Sequence, residues 1–188
     1  MYRVCVKRMI DILGSSSALI CLAIPFLIIV LVILLESKGA PFYKQARVGK
    51  HGKIFKLFKF RSMVNNADQI GPYYTSEKDV RITKVGSFLR KTSLDELPQL
   101  LNVLLGDMSL IGPRPDVLAQ KSLSTESEWQ KRCELLPGIS GLAQVRNRHF
   151  ATTKARLHYD LFYVERVSFC LDMKIIWWTI KTILKGSY

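Results

Sequence analysis

The chain has 188 residues, 48% of them hydrophobic, with 28 Lys and Arg against 15 Asp and Glu, a formal charge of +13 at neutral pH. That hydrophobic content excludes a disordered tail, and the length admits one globular unit with a modest core while leaving no room for a bundle of membrane spans plus an enzyme. The excess of positive charge asks for an anionic partner, be it nucleic acid, an anionic membrane or a phosphorylated substrate.

From Ile12 to Leu35 no residue is charged, and the stretch ends in the dense run Phe26-Leu27-Ile28-Ile29-Val30-Leu31-Val32-Ile33-Leu34-Leu35. It is too long for a signal-peptide core, and no A-x-A-like cleavage site follows it. A straight helix over it would reach about 36 Å, enough for a ~30 Å hydrocarbon layer. Two features favour a re-entrant hairpin over a span. Pro25, at the middle, removes a backbone donor and predicts a bend there, with Ile24 before it biased away from helical angles. Both flanks are basic: Arg3, Lys7 and Arg8 precede the run, and eight Lys and Arg from Lys38 to Arg61 follow it, with Glu36 the only acid between Leu35 and Arg61. Both ends therefore belong on the cytoplasmic side, which a hairpin satisfies and a single span does not.

Pro41 to Phe60 reads as two short runs around a glycine-containing turn, a hairpin. Its interleaved lysines and aromatics suit nucleic acid or a collar at lipid headgroups, and adjacency to the apolar run favours the collar. Asn65 to Thr83 is polar, with Gly71-Pro72 as a turn signal, and predicts a loop with short helical pieces.

The stretch from Arg90 to Leu104 carries the paired acids Asp95 and Glu96. Ser93-Leu94-Asp95-Glu96 fits a capping box, with Pro98 in a first helical turn, so the acids have a purely structural reading. They also have a chemical one: adjacent carboxylates beside Arg90 at a helix N-terminus sit in a positive field, which keeps one ionised as a metal ligand or nucleophile. Further on, Gly112-Pro113-Arg114-Pro115 holds an arginine on a stiff backbone, suited to phosphate. Pro137-Gly138-Ile139-Ser140-Gly141 leads to Arg146 and Arg148, either as a plain surface loop or as a second cationic element. At the C-terminal end Lys174, Lys181 and Lys185 share one helical stripe while Ile176, Trp177, Ile180, Ile183 and Leu184 fill the rest, the pattern of an interfacial helix or of a core helix with a lysine face. Cys5, Cys21, Cys133 and Cys170 are scattered, without C-x-x-C spacing, and read as unpaired thiols in a reducing compartment. No P-loop, dinucleotide fingerprint or Ser-His-Asp pattern offers a different chemistry.

Taken together, Lys7-Arg8-x-x-Asp11, Lys59-Phe60-Arg61-Ser62-Met63, Ser93-Leu94-Asp95-Glu96-Leu97-Pro98-Gln99, Gly112-Pro113-Arg114-Pro115 and Pro137-Gly138-Ile139-Ser140-Gly141 resemble the bacterial sugar transferases known as monotopic polyprenol-phosphate phosphoglycosyl transferases, over nearly the whole chain. The chain is most similar to the small members, which lack the extra N-terminal helices of larger relatives. The resemblance implies a mostly helical α/β fold: a re-entrant membrane helix over residues 1–36 and a compact cytoplasm-facing catalytic domain over residues 37–188 with interfacial amphipathic helices. It implies transfer of a sugar 1-phosphate from a UDP-sugar to undecaprenyl phosphate at the bacterial inner membrane, with Mg2+. By resemblance Asp95 is nucleophile and metal ligand, and Glu96 assists. Lys59, Arg61, Arg90, Arg114 and Arg146 are expected to bind substrate, and Pro25 to break the membrane helix. The expected partners are donor, acceptor and membrane lipids, with a homodimer open and no nucleic acid. Direct transfer in a ternary complex, and a non-catalytic membrane-tethered basic module, are the competing readings. The chain departs from the family in having Ile24-Pro25 where many members have Ser-Pro, and Asn147-Arg148-His149 where Gly-Arg-Asn is common.

Overall fold

A computed structural model describes residues 2–70, 79–146 and 152–184. A π-helical turn, Tyr2–Val6, runs into α1 (Lys7–Cys21), and after a break at Leu22 (φ −97°, ψ 8°) α2 (Ala23–Glu36) leaves at a bend of 63°. The bend lies three residues ahead of Pro25, and Ile24 is helical, which corrects the expectation of a break at Pro25 itself. A proline lacks the N–H that would reach the carbonyl four residues back, and its ring crowds that carbonyl, so the disturbance falls on the preceding turn. Pro25 itself occupies the first turn of α2, where no intrahelical donor is required.

No single described helix is long and apolar enough to cross a membrane, but the bent pair α1–α2 passes on length and composition. One stripe of α2, namely Phe26, Ile29, Val30 and Ile33, packs on Phe60, Leu89, Val85, Leu94 and Leu97. The 3–4 residue spacing of that stripe leaves the opposite face bare: Ile24 is 73% and Leu35 86% exposed, with Leu27, Ile28 and Leu31 also open.

Two antiparallel strands follow, β1 (Phe42–Val48) and β2 (Ile54–Phe60), paired from Phe42 with Phe60 to Val48 with Ile54. They are joined by a turn in which His51 and Gly52 are left-handed, as the predicted hairpin requires. Alternate residues of β2 enter the core, where Phe55 and Leu57 meet Val103 and Met108. The polar segment holds α3 (Ala67–Ile70); the predicted Gly71-Pro72 turn lies outside the described residues. In α4 (Lys84–Lys91) Thr83 caps the N-terminus by accepting from the Gly86 N–H at 2.9 Å. Gly86 lies so close to the backbone of Ser62 that a Cβ would stand 2.0 Å from its carbonyl oxygen. Next come a 3₁₀ turn, Leu94–Glu96, and α5 (Gln99–Leu105), which ends on Gly106 at φ 93°. Strand β3 (Ser109–Ile111) pairs in parallel with β4 (Gly138–Ser140), and between them lie a 3₁₀ turn and α6 (Glu126–Arg132), opened by a Thr125–Glu128 capping box.

Three helices complete the chain: α7 (Leu142–Arg146), α8 (Thr153–Arg166) and α9 (Phe169–Leu184). Ile111, Leu142, Tyr163 and Ile175 form the core beneath them. α9 packs one face into the core, since Asp172 and Ile175 are buried, and leaves Lys174, Trp177, Ile180, Lys181 and Ile183 exposed. Lys185 lies outside the described residues.

The C-terminal end of α2 is held by Arg61, directly after β2. Its guanidinium donates to the carbonyls of Ser37 (2.6 Å) and Lys38 (3.0 Å), to Ser37 Oγ (2.9 Å) and to Asn65 Oδ1 (3.1 Å). It therefore ties down the two residues that follow the helix, approaches the last-turn carbonyl of Ile33 at 3.4 Å and sets a cation at the negative end of the dipole. Arg61→Ala is expected to cost roughly 3 kcal/mol, because the change strands these acceptors; the check is the thermal denaturation midpoint of detergent-purified protein, which an uninvolved arginine would leave in place.

Candidate active site

A cavity of about 790 Å³ opens where the ends of α1, β2, α4, α7, α8 and α9 converge on the 3₁₀ turn Leu94–Glu96. The chain enters that turn through Ser93 at φ 56°, a left-handed conformation outside glycine, which costs about 1–2 kcal/mol. The anticipated capping box does not form: Ser93 makes no side-chain cap, and Glu96 reaches across to β2 instead. The turn buries Asp95 to 7% exposure on the cavity wall.

Lys59 Nζ lies 2.9 Å from Glu96 Oε1 and 3.8 Å from Asp95 Oδ2, while Arg114 Nη2 stands 3.4 Å from the same Glu96 oxygen. Arg90 also lines the cavity, and its Nη1 is buried without a hydrogen-bond partner. The amide oxygen of Gln144, which also lines the cavity, is the other such atom among the described residues, its Nε2 being committed to the Ile139 carbonyl at 2.8 Å. A buried donor left unmade costs about 1–3 kcal/mol, so an unpaired guanidinium nitrogen in a cavity wall marks where an acceptor belongs. Burial pushes the Asp95 carboxyl above the ordinary carboxylate range; Lys59 pulls it back, Glu96 raises it further, and Arg90 and Arg114 lower it.

Arg114 is aimed by its backbone. The Gly112 N–H donates to the Ser140 carbonyl at 2.9 Å and the Gly138 N–H to the Pro113 carbonyl at 2.8 Å, extending the β3–β4 ladder up to the arginine. Of the residues expected to bind substrate, the structure thus gathers Lys59, Arg90 and Arg114 around Asp95 and Glu96. It separates two. Arg61 is not in the cavity wall and is engaged at the end of α2. Arg146 is exposed beside the cavity, with its guanidinium carbon 4.0 Å from the Trp178 ring centroid, a cation–π contact. Asn147-Arg148-His149 lies outside the described residues. Sequence reasoning assigned no role to Gln144, Ser140, Thr179 or Arg156, which also line the cavity; these residue types are common on any surface, and of the four Ser140 alone falls within a quoted motif.

Among the described residues no group of three or more acidic, His or Cys side chains is placed to hold a metal ion. Asp95 and Glu96 nevertheless fit Mg2+, which is commonly bound through one or two carboxylates, with substrate phosphates and water filling the rest.

The raised Asp95 value has a consequence for stability. A carboxyl that holds its proton more tightly when folded lowers stability as pH rises through the raised value, and has no effect below the unfolded value near ~4. In chelator, Asp95→Asn is therefore expected to melt above the wild type at pH 8, with the gap closing as pH falls; a pH-independent gap would assign the change to packing alone.

Comparison with known proteins adds to this geometry. Residues 2–186 match the family described as bacterial sugar transferase. The exopolysaccharide production protein PSS of Rhizobium leguminosarum bv. phaseoli is 45% identical over 186 residues, covering 93% of this chain and 92% of the relative. An uncharacterized sugar transferase, EpsL, of Bacillus subtilis (strain 168) is 42% identical over 178 residues, covering 95% of this chain and 87% of the relative. The UDP-N-acetylgalactosamine-undecaprenyl-phosphate N-acetylgalactosaminephosphotransferase of Aeromonas hydrophila is 40% identical over 189 residues, covering 96% of this chain but only 44% of the longer relative. With a match across almost its full length, the chain belongs to the bacterial sugar transferase family.

Proposed function

We propose that the protein transfers a sugar 1-phosphate from a UDP-sugar to undecaprenyl phosphate, releasing UMP, at the cytoplasmic face of the bacterial inner membrane, as the first membrane step of glycan assembly. One observation carries the reading. The cavity that holds Asp95, Glu96 and the cations Lys59, Arg90 and Arg114 is also lined by Ala18 and Leu22, at the break of the apolar helix pair. A water-borne diphosphate and a lipid-borne phosphate can therefore reach the same carboxylate.

The chemistry is a double displacement. The Asp95 carboxylate attacks the phosphorus that carries the sugar; the bond to the oxygen bridging the two phosphates breaks, and UMP leaves with that electron pair. An oxygen of the lipid phosphate then attacks the phosphorus of the aspartyl phosphosugar, and the bond to Asp95 breaks to regenerate the carboxylate. Lys59 and Arg114, held against Glu96 between turnovers, and Arg90, with an open N–H, offset the charge gathering on the phosphoryl oxygens. Mg2+ bound by Asp95 together with the donor would add charge neutralisation at the diphosphate.

Asp95→Asn is expected to lower UMP release by on the order of 10⁴-fold or more while keeping the fold. Intact-mass measurement after mixing wild-type protein with the donor alone should show a phosphosugar adduct mapping to Asp95. Turnover without an adduct on rapid quenching would favour direct transfer in a ternary complex. Near-normal turnover in Asp95→Asn would remove the residue from the chemistry altogether.

Membrane association as a re-entrant helix is supported by the bare apolar face of α2, the 63° bend and the basic flanks. Native Cys5 is exposed, so a variant retaining Cys5 alone and a cysteine-free variant carrying Lys38→Cys report on the two ends. Both are expected to resist an impermeant thiol reagent in intact cells and to react after permeabilisation. Reaction of only one in intact cells would establish a span.

A further inference from the structure

Arg156 belongs to a buried charge cluster that none of the sequence motifs describes. It stands in the first turn of α8, lines the cavity, and donates from Nη2 to Asp116 Oδ1 at 2.8 Å. The other oxygen of Asp116 pairs with Arg132 Nη1 at 2.9 Å, and Arg132 Nε donates to Asp160 Oδ2 at 2.8 Å. Asp116, Arg132 and Asp160 are buried, at 5%, 5% and 1% exposure. Arg132 also donates to the backbone carbonyl of Arg114. One buried guanidinium therefore sets two cavity arginines at once: Arg114 through its main chain, and Arg156 through Asp116.

The two arginines differ in what they face. Arg114 leans on Glu96, next to the nucleophile. Arg156 comes from α8, and the described residues lining the cavity include the hydroxyls of Ser140 and Thr179 and no acid other than Asp95 and Glu96. The Arg156 side chain is 25% exposed, and among the described residues it is engaged by a single hydrogen bond, to Asp116, so its planar fork retains donors for a second anion. An arginine needed only to neutralise Asp116 and Asp160 could sit inside with Arg132. One brought to the cavity wall and braced from behind by a buried carboxylate is built to meet an anion there at small entropic cost.

We propose that Arg156 binds the phosphate of the nucleotide leaving group, the phosphate that stays on UMP, with Asp116 as its positioning residue. The assignment rests on the transferase reading above, in which Asp95 attacks the sugar-bearing phosphorus and the second phosphate must lie on the far side of the breaking bond.

The test compares UMP with uridine as inhibitors of UDP-sugar turnover in wild-type, Arg156→Gln and Arg156→Lys proteins, with melting curves run in parallel. In Arg156→Gln, inhibition by UMP should weaken by roughly 10–100-fold, the range for one lost charge-assisted hydrogen bond to phosphate. Uridine, which has no phosphate, should inhibit as in the wild type. Arg156→Lys keeps the charge beside Asp116 but lacks the fork, and should weaken UMP about threefold to tenfold; it carries the comparison if the Gln variant does not fold. Equal loss of UMP and uridine inhibition, or no loss of either, overturns the assignment while leaving the transferase reading intact. A wild-type protein that releases no UMP and is not inhibited by it overturns the transferase reading, and this one with it.

Discussion

The carboxylate of Asp11 joins the apolar helix pair to the candidate active site. Buried to 2% exposure in α1, it accepts from Ser109 Oγ at 3.0 Å and from the Leu110 N–H at 2.9 Å. Those residues begin β3, whose continuation delivers Arg114 to the cavity. Its neighbours complete the clamp. Lys7 pairs with Asp172 of α9 at 2.6 Å, and Arg8 donates to the last-turn carbonyls of α5, Val103 at 2.6 Å and Leu104 at 3.0 Å. Breaking a buried pair of this kind costs roughly 3–5 kcal/mol, since the surviving charge is left in low dielectric. The placement of α1 and α2 is therefore coupled to the position of the cavity, two turns further along α1 at Ala18 and Leu22.

Around the cavity the chain accepts several local costs together. Ser93 is left-handed, Arg90 keeps an unpaired buried nitrogen, and Asp95 is buried where ionisation is unfavourable. Each would count against the fold if it stood alone, and their convergence on one wall is how strain and unmet polar groups accumulate at sites that await a ligand. The compensation lies in the apolar clusters beneath: Phe55, Leu57, Val103 and Met108 under the hairpin, and Ile111, Leu142, Tyr163 and Ile175 under the C-terminal helices. Phe60 and Ile33 join the hairpin to α2, so the same strand that supplies Lys59 to the site also supports the apolar helix.

Features with a local cause were legible in the amino-acid order. The uncharged run from Ile12 to Leu35, the β1–β2 hairpin, the stiff Gly112-Pro113-Arg114-Pro115 segment and the adjacent acids each follow from spacing, period or backbone restriction within a few residues. The capping-box spacing at Ser93 was legible too, as one of two readings of the acids, and the box does not form. Its Ser-x-x-Glu spacing is local, yet Lys59 and Arg114 compete for the same Glu96 carboxylate from far along the chain, and a charge-assisted contact outweighs a cap.

Composition and short-range periodicity are enough to place one apolar stretch punctuated by proline, a hairpin, a carboxylate pair and several cations in a basic chain, while the α/β fold followed from the family resemblance. Which cation serves which purpose follows from contacts between segments far apart in the chain. Arg61 turned inward to the carbonyls ending α2, Arg146 stacked on Trp178, and Arg156 reached the cavity through Asp116, 40 residues away in sequence. The parallel pairing of β3 with β4, which aims Arg114, was equally hidden, since three-residue strands carry almost no periodic signal. The physical reason is common to all of these: a guanidinium is attracted to any acceptor within reach, and which acceptors are within reach is settled by packing between distant segments.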